Sequence, residues 1–182
     1  HLSACSREQG VLSAACAQML CHFDLPSGAA AGMCDSKLPD SQSGYEKGST
    51  AVMAGLAGLN LVYESAGMHA SLLGFSLESM IIDNDMLGQC LRCVRGIEVN
   101  NDTLSFEAIK DVCLNGPGHY LGHDRTLAVM ESEYVYPIIS DRSSPKEWNE
   151  NNKPEIINSA HDEVKDILEN HKPTHISSET DK

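Results

Sequence analysis

Basic residues are scarce in this sequence: 13 lysines and arginines stand against 26 aspartates and glutamates, a formal net charge of −13 over 182 residues. So few cations cannot build a face that neutralises phosphates, which excludes a general nucleic-acid binder and argues against an anionic membrane surface as partner. Also missing is any apolar run of about 18 residues, the length a bilayer-crossing helix requires. No Gly-rich phosphate loop, nucleophile elbow or basic-aromatic stripe is present. Cys90 and Cys93 form a C-x-x-C with no second pair downstream to complete a zinc site, so packing thiols are the default reading. The chain begins at His1 rather than Met, and its first residues lack the basic-then-apolar order of a secretory leader. The expectation is a piece of a longer protein, cytoplasmic, with its seven cysteines kept as thiols in a reducing compartment.

What is there reads as globular α/β stock, 41% hydrophobic and of a length suited to one domain. Ser6 and Gln9 read as a capping box opening a helix to about Phe23. Pro26 stops that helix and starts an extended small-residue stretch, Ser27 to Met33. A polar loop leads to a helix from Ser41 to Leu56, ended by Gly58, and Leu59 to Tyr63 is the next strand. Helix, strand, loop, helix, strand is the alternation of parallel-sheet α/β chains. Ser76 caps a long helix reaching Gly96, Asp102 or Thr103 caps another, and a short one spans Thr126 to Met130. Tyr134 to Ile139 reads as an edge strand or extended crossing because of Pro137. Pro154 opens a last amphipathic helix.

Functional groups are densest from Met33 to Lys47, at the C-terminal end of a strand, where the active sites of α/β folds collect. Asp35, Lys37, Asp40, Gln42, Tyr45, Glu46 and Lys47 supply carboxylates, cations and amides there. The plainer alternative is a helix entry capped by Asp40, with Glu46 and Lys47 facing water. Glu64, at the end of the second strand and followed by small residues, could attract a cation or cap the next turn. His119 and His123 have the i, i+4 spacing of a metal pair. No Glu lies between them, so the zincin pattern is absent. Gly118 and Gly122 speak against a helix there, and hydrogen-bonded loop histidines are the preferred reading.

Several motifs then fall in order: Leu25-Pro26, Asp35-x-Lys37-x-Pro39-Asp40-x-Gln42, Gly44-x-Glu46-Lys47, Ile82-Asp83-Asn84-Asp85, Arg95-Gly96-Ile97-Glu98-Val99, Gly118-His119-Tyr120-Leu121-Gly122-His123 and Asp141-Arg142. Together they resemble the trimethylamine methyltransferase family, the amine:corrinoid methyltransferases, from about Ser6 to His171. The resemblance implies the C-terminal portion of a TIM (β/α)8 barrel with additional C-terminal helices. Residues 1–140 would be the partial barrel, 141–171 a helical extension of the same domain and 172–182 a polar tail. The implied activity is methyl transfer from a small methylated amine to the Co(I) form of a corrinoid, the cobalamin being carried by a separate corrinoid protein rather than by this chain.

The resemblance also places Met33 at the position that is pyrrolysine in the trimethylamine enzymes. An ordinary methionine there points to the members that act on quaternary amines such as glycine betaine, in which the fixed charge already makes a neutral amine the leaving group. On that reading Met33, Asp35 and Lys37 form the catalytic segment. Gln42, Tyr45, Glu46, Tyr63 and Glu64 would bind substrate, carboxylates and aromatic faces meeting the ammonium and Lys37 meeting a betaine carboxylate. Two other readings stand beside it: a non-catalytic truncated barrel, and a metal hydrolase using His119 and His123 with Asp124. An incomplete barrel exposes strand edges, so homo-oligomer formation is a further expectation.

Overall fold

The computed structural model describes residues 5–116, 118–172, 175–177 and 179–180. It begins with α1, Arg7–His22, whose N-cap Ser6 accepts from the Gln9 N–H at 3.3 Å. Only half of the expected capping box forms. The Gln9 amide reaches instead to the Ala30 carbonyl at 3.3 Å, tying α1 to the strand that follows. That strand, β1, is shorter than the extended stretch predicted and covers Gly28–Ala30. It pairs in parallel with β2, Leu61–Tyr63, Gly28 opposite Leu61 and Ala30 opposite Tyr63. Between them runs α2, Ser41–Leu56, with the predicted bounds and the predicted cap: Asp40 accepts from the Ser43 N–H at 2.9 Å.

After β2 come two strands that sequence reasoning missed, β3 (Met68–His69) and β4 (Gly74–Phe75), paired antiparallel. Two residues per strand carry no alternation to detect. The long helix α3, Leu77–Arg95, starts from its Ser76 cap as predicted and packs along α2. The chain is therefore α/β. Its described strands form two two-stranded sheets and do not close a barrel.

Beyond α3 the boundaries move. No helix starts at Asp102 or Thr103. Asn100 accepts from the N–H groups of both residues, making a turn that uses up the helix-starting donors. Helix α4 covers Phe106–Lys110 and widens into a π-helical turn, Asp111–Asn115. The short helix predicted around Thr126 to Met130 is α5, Asp124–Glu133. Residues 134–139 form no strand, bending at Tyr134, Ile138 and Ile139, and are held to α3 by Asp85, which accepts from the N–H groups of Ile138, Ile139 and Ser140 at 2.9–3.0 Å. Helix α6, Pro145–Glu150, was missed although Ser144 and Glu147 close a full capping box. The last helix, α7, covers Ile156–Asn170, two residues later than Pro154 suggests, and lays Ala160 and Val164 against α3. No described helix is long and apolar enough to cross a membrane.

Candidate functional site

Two loops meet at the C-terminal ends of β1 and β2: residues 31–40, and residues 64–76, which fold back on themselves through β3 and β4. They touch first at Gly32, whose φ of +78° lies in the left-handed region and where a Cβ would sit 2.9 Å from the Ser65 carbonyl oxygen. Both facts demand glycine. The Gly32 N–H donates to Thr50 of α2 at 3.1 Å, and the Ala31 N–H donates across to Tyr63 O. Further along, Ser71 N–H donates to Cys34 O at 3.1 Å and Ala70 N–H to Ser36 O at 2.9 Å. The turn supplying these donors is strained. Ala70, Ser71 and Leu72 have φ of 51°, 58° and 72°, a run of left-handed residues without a glycine.

Beneath this contact lies a buried polar cluster. His69, 4% exposed, places Nδ1 3.2 Å from Ser36 O and 3.3 Å from Cys34 Sγ, and Nε2 2.6 Å from Ser79 Oγ. A carbonyl only accepts, so Nδ1 carries the proton and Nε2 accepts from the Ser79 hydroxyl. A cysteine beside a histidine and a serine invites a nucleophilic reading, which the electrostatics oppose. Burial pushes the Cys34 thiol up to about 11 against the pull of Lys47. Burial, then the Lys47 charge, push the His69 imidazole below its ordinary value. Thiol and ring both stay neutral, the reverse of an activated thiolate–imidazolium pair.

One layer further in, Lys47 (1% exposed) donates to Asp83 (4% exposed) at 2.6 Å, and the same carboxylate oxygen takes the Gly67 N–H at 2.7 Å. The Lys47 ammonium therefore does not face water. Burial raises the Asp83 carboxyl while Lys47 and Gly67 pull it back. Gly67, at φ +79° with the Phe75 ring 2.4 Å from where a Cβ would be, brings the second loop down onto α3. Lys47, Asp83 and Ser79 also border a half-open cleft of about 460 Å³ between α2, α3 and α7, walled by Ile82, Met86, Ile156 and Ile157.

The residues singled out from sequence around these loops fall into four groups. Met33 is buried, and Asp35, half-buried, lies beside it in the loop; Lys37 is exposed and donates to Asp35 O at 2.7 Å. Glu46 and Gln42 act as a strut. One Glu46 oxygen accepts from the Asp35 N–H at 2.8 Å and the other from Gln42 Nε2 at 2.9 Å, so both are already engaged in holding the loop to α2. Tyr45, half exposed, already carries the Arg7 guanidinium 5.4 Å from its ring centre. Tyr63 leans its ring over Gly28, and Glu64 stands exposed at φ 60° at the strand end.

His119 and His123 are not stacked on a helix face. Gly118 and Gly122 at φ +77° and +78° make a turn, in which His119 is exposed while His123 caps α5 by accepting from Arg125 N–H at 3.1 Å. No cluster of three or more His, Cys, Asp or Glu able to hold a metal occurs among the described residues. Sequence reasoning missed His69 and Ser79, and of its two readings of Lys47 the one that faced it to water is overturned. The motif pair Glu46-Lys47 and Ile82-Asp83, about two helix turns inside each of two facing helices, was the signal available for the buried ion pair.

Comparison with known proteins adds a second line. A family model described as Trimethylamine methyltransferase (MTTB) matches residues 3–182. The chain is 36% identical over 166 residues to trimethylamine methyltransferase MttB of Methanosarcina thermophila, covering 91% of this chain and 34% of that protein. It is 34% identical over 168 residues to trimethylamine methyltransferase MttB of Desulfitobacterium hafniense (strain DSM 10664 / DCB-2), covering 92% and 33%. With the glycine betaine methyltransferase of Desulfitobacterium hafniense (strain Y51) it shares 33% identity over 181 residues, 99% of this chain and 37% of that protein. The chain thus spans about a third of the length of the curated relatives it matches.

Proposed function

Because the chain belongs to the trimethylamine methyltransferase family, we propose that it serves methyl transfer from a small methylated amine, a quaternary one, to the Co(I) corrinoid of a partner protein. The observation that carries this reading is the pair of cross-bonded loops at the ends of β1 and β2, one carrying Met33, Asp35 and Lys37 and the other starting at Glu64, directly after Tyr63. Methionine at position 33 supports a substrate that needs no covalent activation. A quaternary nitrogen already leaves as a neutral amine, so the task of the protein is to orient the C–N bond in line with the acceptor and to exclude water. Asp35 and Glu64 would meet the ammonium, Tyr63 would give it an aromatic face, and Lys37, which among the described residues donates to a backbone carbonyl alone, would take the carboxylate of a betaine. Glu46 and Gln42 serve by holding Asp35, and Tyr45 serves substrate only if Arg7 yields its place.

When docked, the corrinoid supplies the nucleophile. Its placement on a partner is supported by His69, the imidazole nearest the loops, which has both ring nitrogens engaged inside this chain and none to offer a metal. We further read β1–α2–β2 as one unit of a (β/α)8 barrel, 141–171 as a helical extension of the same domain, 172–182 as a polar tail, and the protein as cytoplasmic. A second reading, a non-catalytic part of such a barrel that associates with itself, is favoured by the exposed Leu61, Tyr63 and Phe75 along the open sheets.

The test is demethylation of glycine betaine, proline betaine, carnitine and trimethylamine by the intact chain with a reduced corrinoid protein. Formation of dimethylglycine from glycine betaine is expected, with trimethylamine left unchanged. Turnover of trimethylamine alone overturns the substrate assignment, and a self-associated chain without turnover of any amine favours the second reading.

A further inference from the structure

The strained turn at 70–72 and the buried imidazole beside it converge on the same short stretch of backbone. Ser36 O accepts from Ala70 N–H and His69 Nδ1–H, and Cys34 O accepts from Ser71 N–H. On the opposite side of the ring, Ser79 Oγ donates to Nε2 from the first turn of α3, where Ser76 caps the helix by accepting from the Ser79 N–H at 3.2 Å. Three successive left-handed residues persist only where surrounding bonds over-determine them. What these secure is the carbonyls on either side of Asp35. An apolar side chain would fill the same volume without spanning it. A ring with a donor at one end and an acceptor at the other links loop to helix in a fixed geometry.

We propose that His69 is a positioning residue for the methyl-transfer site: it fixes the Cys34–Ser36 backbone to the start of α3 and thereby sets where Met33, Asp35 and Lys37 stand relative to the second loop. This rests on the reading of the two loops as the site. His69 itself does not touch substrate. Its action is through the Ser36 carbonyl, and the Cys34 thiol, which lies against Nδ1 and the Met68 carbonyl, reports whether the clamp is closed.

The test uses His69→Leu, His69→Asn and His69→Gln in the intact chain. Asn can keep the donation to Ser36 O, whereas Gln can keep only the acceptance from Ser79. With glycine betaine and a reduced corrinoid protein, His69→Leu is expected to lower kcat about 10- to 100-fold with little change in KM, and His69→Asn to restore most of it. In parallel, alkylation of Cys34 in the native protein, read by mass spectrometry, should be slow in wild type and His69→Asn and fast in His69→Leu. Equal kcat in wild type and His69→Leu overturns the proposal. So does Cys34 protection that stays unchanged in His69→Leu, or a kcat that merely follows the melting temperature across all three variants. Should the wild-type chain turn over no amine, the functional reading fails while Cys34 protection still decides the clamp.

Discussion

Residues 5–95 and residues 96–140 satisfy their polar groups in opposite ways. In the first region a group of charged and polar side chains is inside: Lys47, Asp83, His69 and Ser79 are all buried and each has a partner from another element. In the second, Val112 is the one buried side chain among the described residues, while Ile97 (84% exposed), Leu121 (81% exposed) and Leu114 lie open. Its ties are ion pairs at the surface, Arg92 and Arg95 to Glu133 at 3.0 Å each, plus the Asp85 carboxylate at its far end. Hydrogen bonds made in a packed interior fix a loop to within a bond length. The same bonds made in water leave it replaceable.

The largest effect should come from breaking the interior pair. Lys47→Met leaves Asp83 buried with only the Gly67 N–H, and about 3–5 kcal/mol of stability should be lost in urea unfolding. Adding Asp83→Leu to it should recover part of that, though not all, because the Gly67 N–H then loses its acceptor. Next in size is Asp85→Asn, expected to cost about 2–3 kcal/mol and to free 138–140 from α3, visible as faster amide exchange at Ile138 and Ile139.

That second effect has a definite pH dependence. Burial works against the Asp85 carboxylate, but the three N–H groups and the Ser140 hydroxyl outweigh it and hold Asp85 below its ordinary value. A depressed folded-state value means the stabilisation is complete above the unfolded value, about 3.9, and is lost as the pH falls through the folded one. The gap between wild type and Asp85→Asn should therefore shrink only below about pH 4. A gap that shrinks near neutral pH would count against the carboxylate as the anchor.

Smaller still is Ala70→Gly. It relieves one left-handed residue while enlarging the freedom of the unfolded chain, for a net gain of up to about 1 kcal/mol in thermal unfolding. The smallest is Arg95→Ala, expected to cost about 0.5 kcal/mol and to vanish at high salt, as an exposed pair should. An Arg95→Ala cost comparable to that of Lys47→Met would erase the contrast between the two regions.

The same contrast decides what was readable in sequence. Helices α2 and α3 were predicted to their caps because Asp40 and Ser76 precede long runs whose apolar period is realised by packing on each other. The helix start at Asp102 or Thr103 was misplaced because only Val112 of that helix's apolar residues is buried to enforce their period, and local bonds such as Asn100 to Thr103 then win. For the site, the loop from Met33 to Lys47 was legible as a concentration of functional groups after a strand. Its internal wiring was not. Glu46 as a strut and Lys47 as a buried partner depend on residues 11 and 36 positions away, which no local pattern reveals. His69 sits in a two-residue strand among small residues, with nothing in its neighbours to mark it.

The spacing of the cross-links has a kinetic consequence. Ser27 to Asn60, Cys34 to His69 and Lys47 to Asp83 join residues 33, 35 and 36 apart. One loop closure of that span brings all three pairs into reach, and its entropic cost is met once rather than three times. The site should then assemble in a single step with the β1–α2–β2 crossover, after α2 has formed, with no stage at which one cross-link stands alone.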